Sequence, residues 1–309
     1  MSHDDSATPR QGSPLLGVRA GLGWGLLGVL AFSFTVPLTR VVVGDGAMSP
    51  LFVGSGRAVV AAVLAGLALA LTRQRAPRGV QWLRVAVVAG GVVLGFPLLT
   101  SYALTTASAS HGAVVIAVLP AATAAMAVLR GRERPGRAFW VAATLGGVAA
   151  VVFALVQGGG GELRPSDLLL LAAVVVCAIG YAEGGLLSRE LGSWQTISWA
   201  LVSASPVMAT LTALSIGHHQ PTGSWADWAA FGYLAAVSMF LGFFAWYRGL
   251  AIGPMAQVSQ AQLAQPVMSV CWAALLLHEK VGWTTVLGGA VVVGGALTAV
   301  RARVSERRA

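Results

Sequence analysis

The sequence predicts an all-α, polytopic membrane protein of ten transmembrane helices arranged as two inverted five-helix repeats. Three observations carry this. The 309-residue chain is 56% hydrophobic and 10% charged, whereas a soluble domain carries about 25% charged residues. Apolar runs of about 18 or more residues recur along its length, enough for repeated bilayer crossings. One stretch also recurs. Leu104, Pro120, Ala127 and Glu133 reappear 146 residues later as Leu250, Pro266, Ala273 and Glu279. In each copy a Glu follows the Pro by 13 residues, and Gly146-Gly147 matches Gly294-Gly295 after a two-residue slip.

The first 14 residues are polar and make no cleavable signal peptide, and residues 1–17 are expected to be a disordered cytoplasmic start. The first span, 18–43, then remains as an anchor. Spans two to five follow at 48–71, 81–103, 109–129 and 137–156, completing a first repeat over 18–156. The small polar stretch from Thr100 to Ser110 separates spans three and four. A linker at 157–166, with four glycines at 158–161 and then Arg164-Pro165, divides the chain. The second repeat, 167–301, holds spans at 167–188, 195–216, 227–247, 254–277 and 283–301, before a cytoplasmic tail at 302–309. Five is odd, so the halves must insert with opposite topology, as in many secondary transporters. The basic residues fit this count. Sixteen of twenty fall in segments on one side, leaving Arg40, Arg57, Arg164 and Lys280 for the other. The positive side is cytoplasmic, which puts both termini inside.

The net charge of +9 is therefore a topology signal, not a nucleic-acid footprint. Cys177 and Cys271 both lie in apolar runs and form neither a disulfide framework nor a zinc site. No phosphate loop with its Lys, no His-Glu-x-x-His and no serine-nucleophile motif occurs. No cofactor, metal or catalytic residue is expected, and an ATP-driven pump is disfavoured.

The segment Ser101-Tyr-Ala-Leu-Thr-Thr-Ala-Ser-Ala-Ser-His-Gly-Ala, continuing to Pro120 and Gly131-Arg-Glu133, resembles the EamA-type drug/metabolite transporter family. Tyr247-Arg-Gly-Leu250, Pro266 and His278-Glu279 repeat the pattern, with His-Glu where the family reads Gly-Glu. Arg57 stands where the family's second helix often carries an Arg. The resemblance runs from about Trp24 to Val300. It implies ten helices, two repeats, a central cavity and export of small metabolites or drugs.

Several residues are candidates for function. Pro120 and Pro266, at equivalent positions, are expected to kink spans four and nine and act as hinges beside a cavity. Span nine carries Gln257, Ser259, Gln260, Gln262 and Gln265, and amides this costly against lipid should face protein or water. Gln257, Gln260 and Gln262 are assigned to substrate, as are His111, Arg57 and the aromatic residues Tyr102, Tyr181 and Trp246. Arg57 lies about 13 Å deep, where it either attracts an anionic group or snorkels outward. Glu183 and His111 are the proton-coupling candidates. Glu183 could instead pair with Arg84 or Arg248. Glu133 and Glu279 are expected to cap the helices that follow them.

The expected function is a secondary transporter of amino acids, metabolites or drug-like molecules, exporting them across the bacterial inner membrane by alternating access. Its partners are then a small-molecule substrate, the lipid bilayer and, if coupled, protons, with no nucleic acid; the expected state is a monomer or a homodimer. The alternatives are an intramembrane enzyme acting on a lipid-linked substrate, or a membrane sensor or scaffold.

Overall fold

A computed structural model describes residues 14–44, 46–131, 164–252 and 258–306, with scattered positions between 137 and 156. The described residues are helical, joined by short turns. Helix α1 (Pro14–Ser33) runs almost straight into α2 (Thr35–Gly44), and α3 spans Pro50–Leu71. Ser49 starts α3 by accepting the Phe52 amide at 3.1 Å, ahead of a Pro whose missing N–H costs nothing at that position. Next come α4 (Val80–Val88), a π-helical segment (Ala89–Gly95) and α5 (Phe96–Ala103). Helices α6 (Ala109–Ile116) and α7 (Leu119–Gly131) complete the well-described part of the first half.

The second half holds α8 (Pro165–Leu191), α9 (Ser193–His218) and α10 (Trp225–Tyr233), followed by a second π-helical segment (Leu234–Leu241) and α11 (Gly242–Ile252). A 3₁₀ turn (Ser259–Leu263), α12 (Ala264–Leu276) and α13 (Trp283–Glu306) end it.

Seven helical stretches are long and apolar enough to cross a membrane, and two shorter apolar helices, Ala261–Leu276 and Trp283–Gly295, accompany them. They fall on nine of the ten expected spans; most of the fifth, 137–156, lies outside the described residues. Two expected boundaries move. Helix α1 starts at Pro14, inside the stretch expected to be disordered, because Pro is well suited to a first helical turn. Helix α13 continues to Glu306, into the expected tail.

The prolines do not kink their helices where they stand. The first break falls at Ala117–Val118, so Pro120 sits in the opening turn of α7. The residue four before it, Ile116, is the last of α6. That is the carbonyl a Pro ring would strike in a continuous helix. Pro266 likewise lies in the first turn of α12, and the residue four before it, Gln262, belongs to the 3₁₀ turn. The first membrane segment is therefore two half-helices joined end to end, and in the second a 3₁₀ turn leads into a half-helix.

The π segments are a second matched pair. Moving Ala89–Gly95 along by 146 residues lands on Ala235–Leu241, inside the second segment. The packing follows the same exchange. Helix α3 lies on α9, its own counterpart, and α6 lies on α12. Helix α1 packs on α11, while its counterpart α8 packs on the α4–π–α5 rod. Backbones touch at glycines: a Cβ on Gly28 would sit 2.9 Å from the Trp246 nitrogen, and one on Gly249 would sit 2.8 Å from the Gly25 nitrogen.

Candidate functional site

Two small cavities adjoin where the halves meet. The first, about 10 Å³, lies at the crossing of the broken helices, between Pro120 and Pro266, with Ala113, Ile116, Gln262, Gln265 and Ser269 in its wall. The second, about 30 Å³, is walled by Thr35, Arg57, Phe32, Phe96 and Pro97 from the first half. Cys177, Tyr181, Ser238, Met239, Phe243 and Gln265 close it from the second. Leu119 and Gln265 belong to both walls. A space of about 30 Å³ holds little more than one water, so the halves are closed around the site.

Its polar groups are few and underused. Arg57 is 1% exposed, in the apolar middle of α3. It donates to Thr39 Oγ1 at 3.5 Å and to Thr100 Oγ1 at 3.4 Å, both near the limit for a hydrogen bond. Its Nε has no partner among the described residues. Burial this deep excludes the snorkelling reading. Thr35 and Ser238 hydroxyls bond each other across the interface at 2.7 Å. Both amide atoms of Gln262 and the Oε1 of Gln265 are buried without partners among the described residues.

The structure distributes the sequence candidates unevenly. Arg57, Tyr181, Gln262, Pro120 and Pro266 meet at these cavities. Gln257 lies outside the described residues, as does the side chain of Gln260, whose backbone is in the 3₁₀ turn. Tyr102 is a correction: it is 44% exposed at the end of α5 and forms no part of either wall. Trp246 is another. It is 1% exposed behind the wall, packed on Phe32 and Tyr181 at centroid distances of 6.5 and 6.0 Å.

Thr35, Ser238 and the Phe32–Phe243 ring pair, 4.8 Å apart, were not singled out by sequence, and Gln265 was named in span nine without being assigned to substrate. The signal for Gln265 was available. Residues three apart share a face in an α-helix and in a 3₁₀ turn alike, which puts Gln262 and Gln265 together.

The proton-coupling candidates lie elsewhere, towards opposite ends of α8. His111 Nε2 is 2.6 Å from Asp167 Oδ1, and the ring stacks on Phe153 at 5.3 Å. A polar side pocket of about 230 Å³ opens there, lined by Ser108, His111, Arg164 and Asp167. Sixteen residues later, about 24 Å along the helix, the Glu183 carboxylate accepts from both Arg84 and Arg130. Arg84 also binds Glu190. Of the two partners expected, Arg84 is present. Arg248 is not, because its guanidinium sits 5.3 Å over the Trp24 ring.

Glu279 also departs from expectation. Instead of capping the helix that follows it, it accepts the Ala109 amide at 2.7 Å and the Ser110 amide at 2.9 Å. It thus caps α6 of the other half, where unpaired amides and the positive helix end favour a carboxylate. The turn that aims it there puts His278 at φ 53°, the left-handed region that favours Gly. Glu133 lies outside the described residues.

An apolar helical bundle with polar groups held between its two halves defines a multi-pass membrane transporter. The comparisons with known proteins agree. The EamA-like transporter family matches the chain twice, over residues 19–155 and 164–301. The chain belongs to that family, within the drug/metabolite transporter type. It is 44% identical to a Bacillus subtilis (strain 168) protein named uncharacterized transporter YdeK, covering 88% of this chain and 94% of that one. A crystal structure at 21% identity has the same fold, with a TM-score of 0.63 over 94% of this chain and 99% of the other.

Proposed function

We propose that this protein is a secondary transporter that exports small metabolites across the bacterial inner membrane by alternating access. On this reading it has ten spans, in two inverted repeats, with both termini cytoplasmic. The observation that carries the proposal is the closed cavity pair at the Pro120–Pro266 crossing, walled by both halves. Half-helices meeting at a repeat interface are the usual setting for a transported substrate. The packing exchange between equivalent helices supports the repeat, and the sixteen-to-four division of basic residues supports its inversion.

Ties between α8 and the first half lie to either side of the cavities. The His111–Asp167 pair is assigned to the outer end and the Arg84–Glu183–Arg130 cluster to the inner end. Rocking of the halves would break one set while the other holds. The groove of about 280 Å³ beside α12 and α13 is lined almost wholly by apolar side chains. It lacks the clustered polar groups that an enzyme acting on a lipid-linked substrate would need there.

The test is counterflow of a metabolite panel in proteoliposomes, with Gln262→Leu as the site variant. Flux above protein-free vesicles that falls in the variant is the expected result. A folded protein that moves nothing in either direction would sink the proposal.

A further inference from the structure

Among the described residues Arg57 has no counter-charge. A guanidinium stays protonated inside proteins, and removing it from water is costly unless an anion and good hydrogen bonds compensate. Arg57 has two long contacts to neutral hydroxyls and an unpartnered Nε. No carboxylate pairs with it among the described residues. The buried acids among the described residues are already engaged: Asp167 with His111, and Glu183 with two arginines. An intramembrane charge facing a cavity without a partner marks a binding site.

Resting on the transporter reading above, we infer that the central cavity takes its substrate as an anion: a small monocarboxylate with an apolar or aromatic body. Arg57 is the group that meets the carboxylate. Its planar fork suits a carboxylate in a two-point contact. In the same wall, Phe32, Phe96, Tyr181 and Phe243 supply aromatic surface for the apolar part. Among the described residues the wall holds no acidic side chain to receive an ammonium. An amino acid therefore fits less well than the same acid without its amine.

The test uses the full chain in proteoliposomes above neutral pH, where passive leak of the uncharged acid is small. The probes share one phenyl body: 3-phenylpropionate, its amide, phenethylamine and phenylalanine. The wild type should move 3-phenylpropionate faster than the other three. Arg57→Gln should lower that flux roughly tenfold to a hundredfold, the range expected for losing a charged hydrogen bond, while Arg57→Lys keeps part of it.

Unfolding temperature separates binding from a structural role. Because the charge is uncompensated, Arg57→Gln should unfold at the same or a higher temperature than wild type, and 3-phenylpropionate should stabilise only the wild type and Arg57→Lys. If the amine or the amide moves at least as fast as the carboxylate, the inference is overturned. Phenylalanine moving as fast removes its claim against an ammonium. An Arg57→Gln protein that unfolds or fails to fold would make Arg57 structural, and the wild-type preference among probes would still decide the substrate class. If the wild type moves none of these probes nor any of the metabolite panel, the transporter reading fails first.

Discussion

The cluster around Glu183 gives a prediction whose order follows from burial. The Glu183 side chain is 2% exposed, against 19% for Arg84 and 51% for Arg130. Replacing Arg84 with Gln leaves a buried carboxylate held only by a half-exposed Arg130. Breaking a buried pair from one side costs about 3–5 kcal/mol, and the surviving partner should reduce this to about 2–4 kcal/mol. Glu183→Gln leaves Arg84 with Glu190 and lets Arg130 turn to solvent, so about 1–2 kcal/mol is expected. Arg130→Gln removes the most hydrated member and should cost about 0–1 kcal/mol. The measurement is reversible unfolding in mixed micelles, with the Arg84→Gln/Glu183→Gln double variant closing the cycle. The double variant should lose less than the two singles together, because its carboxylate no longer needs a partner. Arg130→Gln as costly as Arg84→Gln, or strict additivity, would refute this account of the cluster.

Three further outcomes follow from local geometry. Glu279→Gln weakens two charge-assisted bonds to the start of α6, and should lower stability by about 1–2 kcal/mol in the same unfolding assay; no change would mean the cap is idle. His278→Gly relieves a left-handed backbone, so it should raise stability by about 0.5–1 kcal/mol without changing flux. Gly91→Ala and Gly90→Ala form a matched pair: a Cβ on Gly91 would lie 2.2 Å from the Val176 carbonyl oxygen, while Gly90 faces open space. Thermal unfolding should show the first destabilised by more than about 1 kcal/mol and the second unchanged or slightly stabilised.

How much of this was legible in the sequence depends on which forces set each feature. Span positions were readable because bilayer thickness fixes the length of an apolar run and little else competes. The equivalence of Pro120 and Pro266 was readable because a Pro in a membrane helix always removes a bond. The break itself fell one turn earlier, at the carbonyl that the ring would strike. The π segments left no pattern that singled them out. The extra residue of a π turn is accommodated by neighbours, here the close approach of Gly91 to α8.

The site was half legible for a related reason. In span nine the sequence choice fell on Gln257, Gln260 and Gln262 and passed over Gln265, which lies three residues past Gln262 and so on the same face in an α- or a 3₁₀-helix alike. Charges were harder still. His111 and Glu183 looked like proton carriers because their partners, Asp167 and Arg130, lie 56 and 53 residues away in sequence. Once those partners are known, His111 and Glu183 are both tied in side-chain pairs. Arg57, which the sequence left undecided between snorkelling and substrate, is the charge that faces the cavity unpaired. Substrate choice is therefore better sought in one fixed cation than in the titration of an acid.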